Sequence, residues 1–142
     1  ELLGREFIDT DALAERAAGL GIPEIFAKHG EAYFRRLERE AVRQAGKTGG
    51  KVIATGGGVV LDPYNYAPLA QNGRIYFLQR ALDRLPTEGR PLSRDLVKLY
   101  DKRLPLYRRF ANAEIPDGLT VTEAALAVRD RFYADTAHQQ AD

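Results

Sequence analysis

The chain has 142 residues, enough for one domain with a real core, and 21 Lys plus Arg nearly balance 20 Asp plus Glu, for a net charge of +1. That balance gives no global field for nucleic acid or an acidic membrane, so any basic site must be a local cluster. With no cysteine there is no disulfide framework, thiol nucleophile or thiolate metal site, and no apolar stretch nears the roughly 18 to 20 residues of a membrane span.

In chain order, Glu1-Leu2-Leu3-Gly4 reads as the last turn of a helix with its glycine C-cap. The chain also has no methionine, so a segment is expected in front of Glu1. Glu6 to Asp9 is a first strand, and Thr10 or Asp11 can cap a helix through Ala12 to Ala17 that ends at Gly19 or Gly21. Pro23 suits the first turn of a short helix, Glu24 to Lys28, closed by Gly30; His29 reads as a helix-end residue, too far from His138 in sequence to suggest a metal pair. Glu31 to about Ala45 is a long helix with Phe34, Leu37, Ala41 and Val42 on one face. The Lys47-Thr48-Gly49-Gly50 turn returns the chain to a strand, Val52 to Thr55.

Asp62-Pro63 starts another helix that Asn72-Gly73 ends, and Arg74 to Leu78 is a third strand. After a polar stretch from Pro86 to Ser93 comes a helix from Arg94 to about Ala111, which Pro105 should bend. Ala113 to Ile115 reads as a short edge strand. Thr120 or Thr122 can cap a final helix whose Ala125, Val128 and Phe132 form a buried stripe. Residues 1–136 read as a single domain and 137–142 as a disordered tail. Alternating β and α units imply a mostly parallel sheet with helices on both faces.

Three features carry chemistry. Gly56, Gly57 and Gly58 follow a strand directly, so backbone amides there can approach a ligand without side chains in the way, and a phosphate cradle is the first expectation. Asp9 and Asp11, two apart at the end of the first strand, can point the same way if strand geometry persists; caps and turn formers have the same spacing. Arg35 follows Phe34 on the long helix, Arg90 precedes Pro91, and Arg103 precedes Leu104-Pro105. Each alone suits a solvated surface, but together they read as an anion clamp, since an arginine fork takes a carboxylate or phosphate bidentately.

The ordered set Phe7-Ile8-Asp9-Thr10-Asp11, Ile25-Phe26, Gly30-Glu31-x-x-Phe34-Arg35-x-x-Glu38, Thr55-Gly56-Gly57-Gly58-Val59-Val60, Gly89-Arg90-Pro91-Leu92 and Arg103-x-Pro105-Leu106-Tyr107 resembles shikimate kinase. The resemblance runs from about Leu2 to Ala111. It implies a three-layer α/β fold of the P-loop nucleoside-monophosphate-kinase type and transfer of the ATP γ-phosphate to the 3-hydroxyl of shikimate, with Mg²⁺ as cofactor. It implies Asp11 as base or orienter of the accepting hydroxyl and Asp9 as a ligand of Mg²⁺ through water. Arg35 and Arg103 would clamp the substrate carboxylate, Gly56, Gly57 and Gly58 would meet the ring hydroxyls, and Ile22, Phe26, Phe34 and Pro91 would pack the ring. Glu38 would hold an arginine in place. Arg90, with Arg84 as a second lid arginine, would close on the nucleotide phosphates. The expected partners are shikimate and ATP, with no nucleic acid or membrane. The expected form is a cytoplasmic monomer when complete, with room for fusion to another pathway enzyme.

The sequence departs from the family pattern in three places. The lid is short and carries Pro86, and Pro116-Asp117-Gly118-Leu119 has no clear match to an adenine-contacting stretch. The Gly-x-x-x-x-Gly-Lys-Ser/Thr loop is absent, because Gly46-Lys47-Thr48 has Ala41 where the first glycine belongs and ends a helix. The expected missing piece is a strand, a loop and a helix of roughly 25 residues. Its strand would be central, between the strand ending at Thr55 and that at Ile75, and these 142 residues alone would then be marginal or aggregation-prone. A catalytically inactive shikimate-binding module, or a related kinase such as a gluconate kinase, is the alternative function. The triple glycine together with Arg35 and Arg103 disfavours the latter.

Overall fold

A computed structural model of the chain describes residues 1–79 and 94–137, the side chains of 94–97 excepted. Arg84, Arg90, Pro91 and the tail 138–142 therefore lie outside the described residues. Two compact units are present, Arg5–Gly73 and Arg74–Asp142 with Glu1–Gly4.

The first unit opens with strand β1 (Glu6–Asp9), followed by helices α1 (Thr10–Ala18), α2 (Ile22–His29) and α3 (Glu31–Ala45), then strand β2 (Lys51–Ala54). β1 and β2 are parallel, with Phe7 opposite Val52 and Asp9 opposite Ala54. A parallel pair needs a crossover of a dozen or more residues, and the three helices supply it. α1 stops where Gly19 takes φ 69 and returns its N–H to the Glu15 carbonyl, a left-handed C-cap that suits glycine. α3 has no glycine or proline over 15 residues, and Phe34, Glu38, Ala41, Val42 and Ala45 form its buried stripe, the 3.6-residue repeat expected of a helix laid on a core. Ala14, Ile25 and Phe34 form the centre of that core, with Ile22, Tyr33 and Leu37 around it.

Two 3₁₀ turns follow β2, Gly57–Leu61 and Pro63–Asn65, and then helix α4 (Tyr66–Ala70). The single helix expected from Asp62 to Asn72 is thus split. The Asp62 side chain accepts from the Tyr64 N–H at 3.0 Å, which favours a tight turn, and Pro68 brings no N–H to the four-residue-back ladder.

Gly46, just past α3, lies so close to α4 that a Cβ there would run into the Pro68 carbonyl, 2.6 Å from its carbon. The Gln71 and Asn72 side chains also donate to the Gly46 carbonyl, at 2.9 and 3.0 Å. Backbone cannot swing aside as a side-chain tip can, so Gly46→Ala should cost about 1–3 kcal/mol and lower the melting temperature by several degrees. A thermal melt superimposable on the parent's would contradict this.

The second unit holds strand β3 (Tyr76–Leu78), helix α5 (Arg94–Phe110), strand β4 (Ala113–Ile115) and helix α6 (Val121–Ala137). β3 and β4 are parallel and form a two-stranded sheet of their own. Asn112 extends the pairing by exchanging hydrogen bonds with the Ile75 backbone, both at 2.7 Å. Pro105 lies inside α5, as expected. Thr120 and Glu123 form a reciprocal capping box at 3.0 and 3.1 Å.

The stripe expected on α6 is only half realised, since Ala125 is exposed, Val128 and Phe132 are half-buried and no residue of the helix is buried. A sheet two strands wide is too narrow to cover a whole helix face. Tyr76 ties α6 to β3 instead, donating to Asp135 Oδ2 at 3.0 Å. Burial first, then that bond, pushes its phenol up to about 12.

Candidate active site

Because β1 and β2 are parallel and in register to their last residues, the segments that follow them, Thr10-Asp11 and Thr55 to Gly58, emerge side by side. The Thr10 hydroxyl donates to the Ala54 carbonyl at 3.3 Å and stitches the two exits together. Strand geometry does not persist to Asp11, because the chain turns into α1 at Thr10. Asp9 is the N-cap, at φ −107, and its Oδ1 accepts from the Asp11 N–H at 2.9 Å, so neither Thr10 nor Asp11 caps this helix. The two carboxylates become neighbours through a cap and not through strand alternation.

Asp11 then faces the first glycine. A Cβ built on Gly56 would stand 3.0 and 3.1 Å from the Asp11 carboxylate oxygens, closer than side chains ordinarily approach. Burial, then the negative charges of Asp9 and Glu15, raises the Asp11 carboxyl above its ordinary 3.8, and Arg35 opposes the rise. Crowded carboxylates in a half-buried site favour the protonated form, so this group holds a proton more readily than a surface aspartate.

Arg35 faces the third glycine. A Cβ on Gly58 would collide with both Nη atoms and lie 2.6 Å from Cζ. Glu38, one turn along α3, accepts from Nη1 at 3.0 and 3.2 Å with a side chain only 2% exposed. Glu31, one turn back, accepts from Nε and Nη2 at 3.4 and 3.3 Å. Residues three and four apart share a helix face, so α3 itself aims the guanidinium.

The glycine turn is braced from below. Asn65, 1% exposed, donates its amide to the Val59 carbonyl at 3.0 Å. Arg39 reaches across from α3 to Asp62 Oδ2 at 2.6 Å and lies over the Tyr64 ring at 5.0 Å. Neither the role of Asn65 nor the Arg39–Asp62 pair is legible in the sequence. An aspartate before proline signals only the local turn, and pairs 23 residues apart carry no spacing signature. The Arg35–Glu31 bond, by contrast, is a legible i,i+4 pair.

Of the residues expected to pack a ligand ring, Phe26 and Phe34 lie with centroids 5.0 Å apart. Phe34 is core at 4% exposure and Phe26 is 38% exposed, so Phe26 offers the accessible ring and Phe34 backs it. Ile22 is half-buried against the same core. Arg103 belongs to α5 in the other unit, where its Nε is buried and has no hydrogen-bond partner among the described residues.

Within the first unit a glycine ledge therefore carries a carboxylate at one end and an oriented guanidinium at the other. Such a set can orient a hydroxyl, accept its proton and bind an anion. No helix among the described residues is long and apolar enough to cross a membrane.

A family model described as shikimate kinase matches residues 1–132. A curated shikimate kinase from Caldanaerobacter subterraneus subsp. tengcongensis is 44% identical over 113 residues, spanning 72% of this chain and 66% of that protein. One from Thermoanaerobacter pseudethanolicus is 40% identical over 131 residues, 84% of this chain and 76% of that protein. Among solved structures, shikimate kinase from Acinetobacter baumannii in complex with shikimate matches with TM-score 0.78 and 30% identity, over 96% of this chain and 82% of that one. Shikimate kinase from Aquifex aeolicus matches with TM-score 0.79 and 26% identity, over 94% and 85%. The mixed α/β architecture is thus that of shikimate kinase crystal structures, and the chain belongs to the shikimate kinase family.

Proposed function

We propose that the full-length protein transfers the γ-phosphoryl group of ATP to the 3-hydroxyl of shikimate, giving shikimate 3-phosphate. The observation that carries this reading is the convergence of Asp11 on Gly56 and of Arg35 on Gly58. The two groups frame a side-chain-free ledge suited to a small polyhydroxylated acid. The Acinetobacter baumannii relative in complex with shikimate supports that choice of acceptor.

In this reading Asp11 accepts the hydrogen bond of the attacking hydroxyl, and its raised carboxyl lies nearer the range a general base needs. Arg35 binds the acceptor carboxylate and Glu38 keeps its guanidinium in place. Arg103 is the second arginine of the clamp, and its buried Nε, without a hydrogen-bond partner among the described residues, suits a donor kept for a ligand. Gly56, Gly57 and Gly58 admit the ring hydroxyls to the backbone, and Ile22, Phe26 and Phe34 pack its apolar side. Pro91 in that packing, and Arg90 with Arg84 on the phosphates, belong to the same proposal and lie outside the described residues.

Mg²⁺ fits the donor set as a hydrated ion. No group of three or more metal-ligating side chains occurs among the described residues, but Asp9 keeps Oδ2 clear of its cap bond, an oxygen donor for a cation that retains most of its water. When bound, the ion would neutralise phosphate charge. Asp9 would hold it through water, and the protein side chains would orient the acceptor. The finer fold that goes with this reading is one three-layer parallel sheet with helices on both faces, in a cytoplasmic monomer.

Calorimetry of the full-length protein tests the reading. Shikimate and ATP should both bind. Binding of shikimate alone would mark a non-catalytic shikimate-binding module, and binding of neither would remove the proposal.

A further inference from the structure

Arg35 presents its guanidinium already occupied on two sides, and the two occupants differ. Glu38 is buried, with a side chain 2% exposed, and gives both oxygens to Nη1; Glu31 is 61% exposed and bridges Nε and Nη2 with a single oxygen at 3.4 and 3.3 Å. The Nε/Nη2 edge is one of the sides on which an arginine takes a carboxylate with two parallel bonds, and Glu31 fills it with one long, shared contact. Glu31, Arg35 and Arg39 line one wall of an open cavity of about 560 Å³, faced by Leu61, Asp62 and Tyr64, so the Glu31 carboxylate has room to swing out.

We propose that Glu31 is a displaceable placeholder. It holds the Nε/Nη2 edge of Arg35 while no ligand is present and gives way to the carboxylate of the incoming acceptor, so it sets affinity for acidic acceptors. The inference rests on the reading that Arg35 takes the shikimate carboxylate. Two effects act in the same direction. Glu31 competes for the donors, and its charge repels an approaching anion across an exposed, screened gap. Exposed ion pairs of this kind are weak, so the handicap on the ligand is no more than about fivefold in affinity. Glu38 cannot serve this way, because its carboxylate is buried and breaking a buried pair on one side leaves an uncompensated charge. It is the positioning partner, and Glu31 is the exchangeable one.

The test is calorimetric affinity for shikimate in the full-length protein and in Glu31→Gln, with the same cyclohexene triol lacking its carboxylate as control. Glu31→Gln should bind shikimate about two- to fivefold more tightly and leave the uncharged triol unchanged. Glu31→Asp keeps the negative charge in the first turn of α3 but cannot reach the guanidinium, and should give a smaller gain of the same sign. Unchanged or weaker shikimate binding in both variants would overturn the placeholder, as would an equal gain for the triol. A parent protein that binds no shikimate would instead overturn the assignment of function, and the placeholder with it.

Discussion

Asp11→Asn in the full-length protein is expected to lose at least about 100-fold of shikimate-dependent turnover while melting no lower than the parent. Positioned general bases contribute about 10²- to 10⁴-fold, and asparagine keeps the shape of the side chain but cannot take the proton. The stability half of the expectation follows from the sign of the pKa shift. The Asp11 carboxyl is raised in the folded protein above its ordinary 3.8, chiefly by burial and then by Asp9 and Glu15. In the pH window just above 3.8 the folded state therefore binds more protons than the unfolded state at this site, and stability falls as pH rises through that window. At neutral pH the ionised group is a net cost to the fold, which the neutral amide removes. The parent's turnover should correspondingly fall off on the acid side at a pH above that of an ordinary aspartate. Full activity in the variant would exclude Asp11 from the chemistry. An inactive variant that melts well below the parent would mean its inactivity came from lost structure.

Gly58→Ala should raise the shikimate KM by about tenfold or more with the KM for ATP unchanged. The added methyl would overlap the Arg35 guanidinium, the far end of a flexible side chain, so the chain need not unfold to accommodate it. Arg35 moves instead, and a displaced guanidinium can no longer make a charge-assisted pair of about 1.5–3 kcal/mol with the acceptor. The melting temperature should fall as well, because moving the guanidinium disturbs its pair with the buried Glu38, a different route from Gly46→Ala, where the obstacle is the Pro68 backbone. Unchanged shikimate KM in Gly58→Ala would show that Arg35 does not bind the acceptor.

Both variants act at places where the sequence was partly legible. The strands at Glu6–Asp9 and Ala113–Ile115 and the helix at Glu31–Ala45 fall where apolar periodicity and glycine punctuation put them, because those signals are local. The juxtaposition of Asp11 with Gly56 was not local. It depends on β1 and β2 ending in register, whereas the two-residue spacing of Asp9 and Asp11 suits both strand alternation and a helix cap, and the chain makes the cap. A strand followed by three glycines suggests, on its own, a phosphate cradle. In place they begin a 3₁₀ turn between a carboxylate and an arginine, a setting in which Asp11 would repel a phosphate.

The bracing of that turn was also illegible. Asn65 reads as one more polar residue in a loop, and only the folded chain buries it against the Val59 carbonyl. On α6 the apolar repeat was genuine, but how deeply it is buried depends on the width of the sheet it meets.

In the proposed function the ledge of Gly56 to Gly58, framed by Asp11 and Arg35, presents shikimate to ATP. The most direct measurement is the rate of ADP release by the full-length protein with Mg²⁺ and ATP, with and without shikimate. Turnover should depend on shikimate and saturate with it. ADP release that shikimate does not change would contradict the proposed function.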